Sequence, residues 1–143
     1  MSRFSAPVFL AQLFAAPLLC LLFGDLAVEL VDGLLGTRGN QFVAWSCYAL
    51  VGFIEGYLTR IAFPDVDHSW ARFVWVVPVA LCVIFFVTDY RRFPDSAVRE
   101  FLIIDPYSAS RGLVSGFVAA PTFATCFYSF GVWAARKRSG SLA

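Results

Sequence analysis

One carboxylate of this sequence lies inside a long apolar run. Glu55 falls within 42–63, where the other side chains are apolar or weakly polar. A carboxylate in hydrocarbon has no water to solvate it, so it must be protonated, paired, or placed beside a polar cavity. Helical spacing places Tyr48 and Thr59 on the same face as Glu55. We therefore expect one of two roles: a proton or cation site formed by these three residues, or a packing role in which Glu55 hydrogen-bonds to a neighbouring helix.

A second group of acids lies at the end of the first apolar run. Asp25, Glu29 and Asp32 are spaced at i, i+4 and i+7 and so share one helix face. One interpretation is a vestibule that attracts cations or binds a divalent ion. The other is a face at the level of the lipid headgroups that pairs with the four arginines of the 89–111 loop, and their number favours this second interpretation. Those arginines are Arg91, Arg92, Arg99 and Arg111.

The remaining polar residues form no catalytic or cofactor-binding pattern. His68 is the sole histidine and Met1 the sole methionine, whereas a haem held between helices generally takes two such ligands. The four cysteines lie in apolar runs without a C-x-x-C pair, so we interpret them as small buried hydrophobes. The sequence has no G-x-S-x-G, no H-E-x-x-H and no Gly-rich phosphate loop. We predict no catalytic residues, no metal site and no cofactor.

The elements that must position these residues are predicted to be membrane helices. The 143 residues are 59% hydrophobic and 15% charged, whereas soluble domains are about 45–50% apolar and about 25% charged. Four apolar runs are long enough to cross a hydrocarbon core of about 30 Å, and an open sheet could not satisfy its backbone there. We therefore predict an all-α polytopic membrane protein, a four-helix transmembrane bundle with one domain over 1–143. The predicted spans are 7–27, 42–63, 71–88 and 112–135.

Charges at the ends of the spans predict the orientation. Arg136, Lys137 and Arg138 directly follow the fourth span, and positive charge favours the cytoplasmic side. With four spans the N-terminus is then also inside, and the 89–111 loop is outside. We interpret the first apolar run as a retained helix, because it lacks a small-x-small cleavage site. We expect a multi-pass protein of the cell (inner) membrane, and the net charge of +1 gives no reason to expect a nucleic-acid partner.

Small residues predict close contacts between helices. Gly52 and Gly56, and likewise Gly112 and Gly116, have the G-x-x-x-G spacing that lets helices approach closely. Four short spans enclose little interior, so we expect more than one copy or a partner in the lipid bilayer. The sequence favours a non-enzymatic subunit of a homo-oligomer or of a larger membrane complex. A small proton- or cation-coupled transporter or channel that uses Glu55 is the first alternative, and a membrane enzyme with a site at the outer face is the second.

Overall fold

The long elements of this chain are α-helices, as the sequence predicts. The computed structural model describes residues 5–37, 40–92 and 118–140. We label the four long helices of these ranges in chain order. They are α1 over Ala6–Leu35, α2 over Gln41–Ala62, α3 over Val76–Arg92 and α4 over Ala120–Gly140.

Three stretches are long and apolar enough to cross a membrane. They are Ala6–Leu35, Gln41–Ala62 and Ser69–Thr88, and they correspond to the first three predicted spans. Helix α4 does not meet the same criteria of length and composition within the described residues. The predicted fourth span begins at 112, and its residues 112–117, with Gly112 and Gly116, lie outside the described ranges. The same is true of the predicted 89–111 loop from residue 93 onward. The fourth span and the orientation therefore stay predictions.

Pro17 shapes the first helix. The chain has α geometry over Ala6–Leu10 and Ala16–Leu35, with one π-helical turn at Ala11–Ala15 between them. A proline has no N–H to donate, and its ring crowds the carbonyl four residues earlier, so the turn before Pro17 widens. The widened turn contains Gln12, which is buried.

Short polar side chains make hydrogen bonds to the backbone near both ends of α2. Asn40 caps α2, because its side-chain oxygen accepts from the N–H groups of Phe42 and Val43 at 3.0 and 3.4 Å. At the other end of α2, Asp67 Oδ1 accepts from the N–H of Ser69 at 2.8 Å. That bond begins a 3₁₀-helical turn over Ser69–Phe73, which leads into α3.

The tightest helix contact lies between α2 and α4. A Cβ atom added at Gly52 would overlap the carbonyl oxygen of Ala124, and one at Gly56 would overlap that of Tyr128. The predicted small-residue face of α2 therefore lies directly against α4, where only glycine leaves room for the facing backbone. Helix α1 packs against both of these helices and completes a three-helix interior. This interior positions the polar side chains described below.

Large apolar side chains cover the outside of the helices. Phe14 and Leu18 of α1, Leu58 of α2, and Ile84 of α3 are each more than half exposed within the chain. The buried residues of the same helices are mostly small, as in alanine, cysteine and valine. Bulky apolar groups outside and small groups inside are the arrangement expected where lipid is the surrounding solvent.

Candidate functional site

Glu55 of α2 faces α1 inside the bundle. The thiol of Cys20, which is 0% exposed, donates a hydrogen bond to Glu55 Oε2 at 2.9 Å. The other carboxyl oxygen, Oε1, is buried and has no hydrogen-bond partner within the described part of the chain. A thiol is a weak donor, so this contact alone provides little stabilisation for a charged carboxylate.

No cation neutralises this carboxyl among the residues that the structure describes. Among those residues, the Cys20 thiol is the only side chain with a hydrogen bond to it. Arg60, the nearest arginine in the sequence, instead donates to the carbonyl oxygens of Pro64 at 2.7 Å and Val66 at 3.4 Å. An unpaired carboxylate away from water is costly, so the neutral acid is the form that this environment accommodates.

Tyr48 lies on the predicted face of α2 but contacts a different acid. Its side chain is 0% exposed, and its hydroxyl donates a hydrogen bond to Asp25 Oδ1 of α1. The ring lies against Gly24, where any side chain would overlap it. Helical counting within α2 placed Tyr48 beside Glu55, yet the two residues are seven positions apart and reach different levels of α1.

Thr59 lies one turn from Glu55, and its hydroxyl is used by the backbone. Its Oγ1 donates to the main-chain carbonyl of Glu55 at 2.7 Å, not to the carboxyl. On its other side the Thr59 side chain lies beside the phenol of Tyr128, which α4 contributes to the interior. Thr59 therefore belongs to the polar interior without binding the carboxyl of Glu55.

The three acids of the predicted face of α1 have different hydrogen-bond surroundings. Asp25 accepts from Tyr48 inside the bundle, Glu29 is exposed, and Asp32 accepts from the hydroxyl of Thr37 at 2.8 Å. Over the described ranges, no group of three or more histidine, cysteine, aspartate or glutamate side chains is arranged to hold a metal ion. Arg99 and Arg111, two of the predicted partners of this face, lie outside those ranges.

Sequence reasoning missed three residues that form a second polar group next to Glu55. Gln12, which is 3% exposed, has its Nε2 2.9 Å from His68 Nδ1, and His68 Nε2 is 2.7 Å from the carbonyl oxygen of Phe63. Gln12 also lies beside the phenol of Tyr128. The signal for Gln12 was present in the sequence, since it is the only amide within 6–24.

The tautomer of His68 follows from its two neighbours. The carbonyl of Phe63 can only accept, so Nε2 of His68 carries the proton and Nδ1 is an acceptor. The partner of Nδ1 must then donate, which places the amide nitrogen of Gln12 toward His68. The amide oxygen of Gln12 consequently points the other way, and it is buried without a hydrogen-bond partner among the described residues.

A cavity of about 880 Å³ opens at the turn between α2 and α3. Its wall includes His68, so it reaches the polar group just described. Burial lowers the pKa of His68 below its ordinary value, and the nearby Arg60 acts in the same direction. A hydrogen bond from the backbone of Ser69 lowers the pKa of Asp67. The other charged residues of the wall are Arg60, Arg72, Arg136 and Asp65.

Comparisons of the chain with protein-family models, with curated proteins and with solved structures found no match.

Proposed function

We propose that this chain is a small multi-pass membrane protein whose activity depends on a proton bound at Glu55, as in a proton-coupled transporter or channel. The observation that carries the proposal is the environment of the Glu55 carboxyl. It faces the helix interior, its only side-chain partner is the Cys20 thiol, and its Oε1 is buried without a partner in the described part of the chain. A carboxyl in such surroundings is suited to binding and releasing a proton.

A proton fits this group better than a metal cation does. A calcium ion takes about 6–8 oxygen ligands, and magnesium requires a nearly octahedral set. The described residues offer one free carboxyl oxygen at Glu55, and the nearest side chain is a thiol. Glu55 therefore has the surroundings of a protonatable group rather than those of a cation cage.

The small-residue contact bears on the rival proposal of a structural subunit. The sequence favoured a subunit partly because Gly52 and Gly56 could serve a helix of another chain. In the structure this face is occupied by α4 of the same chain. A homo-oligomer or a complex with other membrane subunits stays a prediction, and a second chain would have to bind at a surface other than the Gly52 and Gly56 face. Four spans with both termini inside also remain part of the proposal.

The decisive experiment is Glu55→Gln in reconstituted vesicles that contain a pH-sensitive dye. The amide has nearly the shape of the acid but cannot release a proton. We expect wild type to carry protons above the rate of protein-free vesicles, and Glu55→Gln to lose this flux while its mass in detergent is unchanged.

Glu29→Gln is the matched control, because it makes the same exchange at an exposed position of α1. It should carry protons as wild type does. A wild type without flux would overturn the proposal. Equal flux in Glu55→Gln together with an altered number of copies would instead support the subunit function.

A further inference from the structure

We propose that Glu55 exchanges its proton with one side of the membrane only, through the cavity at the α2–α3 turn and past His68, Gln12 and Tyr128. This inference rests on the proposed function, because it names the route by which a proton reaches Glu55.

The route begins where His68 separates the cavity from the helix interior. His68 lines the cavity and contacts the buried Gln12 at 2.9 Å. The amide of Gln12 is fixed with its oxygen directed away from His68, as argued above, and that oxygen is buried and unpartnered among the described residues. Tyr128 lies beside both Gln12 and Thr59, within the electrostatic reach of Glu55.

Two oxygens of residues near Tyr128 lack a hydrogen-bond partner among the described residues. They are Gln12 Oε1 and Glu55 Oε1, and both are buried. Buried polar atoms of native proteins are almost always hydrogen-bonded to protein or to water. Two such acceptors in one helix interior are the kind of site at which water molecules bind and could carry a proton.

The barrier lies on the far side of Glu55. With a rise of about 1.5 Å per residue, Glu55 lies about 12 Å along α2 from Phe63 and the cavity, and Tyr48 lies about 10 Å further on. The Tyr48 ring is fully buried against Gly24, and its hydroxyl is bound to Asp25. Tyr48 therefore closes the interior between Glu55 and the opposite end of the helices.

The cavity itself has the lining of a water-filled space. At about 30 Å³ of liquid volume per water molecule, its volume of about 880 Å³ would hold on the order of tens of waters. Arg60 and Asp67 are the charged groups that act on His68, and Arg72, Arg136 and Asp65 lie elsewhere on the wall. Burial of the ring and the nearby Arg60 both lower the pKa of His68, which favours the neutral ring whose Nδ1 accepts the hydrogen bond from Gln12.

The proton balance is simple along this route. A hydronium ion in the cavity loses one proton and becomes water, and the carboxylate of Glu55 gains that proton and becomes the neutral acid. Water molecules between the cavity and Glu55, together with the Tyr128 hydroxyl, each accept one proton and release another, and His68 stays neutral. Gln12 stays chemically unchanged and holds the hydrogen bonds in line.

The experiment measures which side sets the protonation of Glu55. Full-length protein is reconstituted in vesicles, and a potassium gradient with nigericin holds a constant pH difference across the membrane. Dicyclohexylcarbodiimide, which crosses the bilayer and modifies protonated carboxyls, is added, and the adduct on Glu55 is quantified by mass spectrometry. Trypsin cleavage at Lys137 or Arg138 identifies the molecules whose cavity end faces outward, because Arg136 lines the cavity.

We expect the adduct on Glu55 to follow the pH on the cavity side and to ignore the pH on the other side. Labelling that follows the opposite side, or both sides equally, would overturn the inference. Tyr128→Phe keeps the ring and removes only the hydroxyl, and Gln12→Leu removes the amide. Each should slow labelling after a change of cavity-side pH by about tenfold or more, whereas the exposed control Gln41→Leu should not.

The two proposals fail in different ways. If Glu55 takes no adduct at any pH when both sides are equal, the proposed function fails. If Glu55 is labelled with a clear pH dependence but Tyr128→Phe and Gln12→Leu label as wild type does, only the route is wrong.

Discussion

The thiol of Cys20 in α1 donates a hydrogen bond to the carboxyl of Glu55 in α2 at 2.9 Å, and among the described residues this is the one side-chain hydrogen bond to that carboxyl. It links a fully buried cysteine to the only acid in the middle of the second span. A cysteine of an apolar run thus serves as the hydrogen-bond donor to a carboxyl inside the bundle.

Cys20→Ala should destabilise the protein by about 1–3 kcal/mol, because it leaves both carboxyl oxygens of the half-buried Glu55 without a donor among the described residues. Cys20→Ser retains a donor and should cost less. Cys126→Ala is the control, since that cysteine is exposed, and it should change stability by less than about 0.5 kcal/mol. Unfolding in mixed detergent and SDS micelles measures the difference. Equal losses at Cys20 and Cys126 would contradict the importance of this bond.

Gly52→Leu should destabilise the contact between α2 and α4 by about 1–3 kcal/mol or more, because its side chain would overlap the backbone at Ala124. Gly33→Ala is the opposite case. It lies in α1 with no atom within 4 Å of an added Cβ, so it should be neutral or stabilise the helix by up to about 1 kcal/mol. Thermal unfolding in detergent distinguishes the two. Tolerance of leucine at Gly52 would show that these helices do not pack as described.

Tyr48→Phe should cost about 1–3 kcal/mol, because it removes the donor to the half-buried Asp25. Tyr57→Phe makes the same change where the hydroxyl accepts from Arg138 at 2.9 Å in an exposed contact, and it should cost less than about 0.5 kcal/mol. The same unfolding assay applies. If both variants unfold alike, the interior bond contributes no more than the exposed one.

The protein should become less stable as the pH falls below about 6.5, and His68 should account for part of this loss. Burial lowers the pKa of folded His68 below its ordinary value of about 6.5. The folded state therefore binds fewer protons than the unfolded state in this range, so stability is greatest above the unfolded pKa and falls until the folded pKa is passed.

The measurement is the Tm in detergent at pH 7.5 and pH 5.5. The Tm of His68→Asn should fall less between pH 7.5 and pH 5.5 than the Tm of wild type does. Asp67 should not interfere, because its pKa is lowered from an ordinary value near 4, and its contribution is lost only at still lower pH. An identical pH response in both proteins would mean that His68 is not protonated differently on unfolding.

The helical class and the apolar spans could be predicted because lipid imposes long uninterrupted hydrophobic runs on a sequence. Glu55 could be identified for the same reason, since a single acid inside such a run stands out. The hydrogen-bond partners of Glu55 could not be predicted. Helical counting gives the face of one helix, but the level at which another helix crosses it depends on packing, so Tyr48 was assigned to Glu55 although it binds Asp25.

The contact between Gln12 and His68 could not be predicted by considering each residue separately. In the sequence His68 was considered as a haem ligand, and as the sole histidine it had too few partners for that role. The structure brings its ring to Gln12, which is far from it along the chain. The pairing depends on how α1 and the α2–α3 turn meet, which no local pattern records. Tyr128 was hidden in the same way, because its role depends on the approach of α4 to Gly56.

The π-helical turn at Ala11–Ala15 also determines the direction in which Gln12 points. An uninterrupted α-helix turns by about 100° per residue, so Gln12 and Cys20 would be rotated about 80° from each other. One additional residue taken up in the wide turn reduces this offset to about 20°. Deleting a single residue between Gln12 and Pro17 would therefore let this turn close to ordinary α geometry and keep the amide on the Cys20 face, because seven α-helical steps also leave an offset of about 20°.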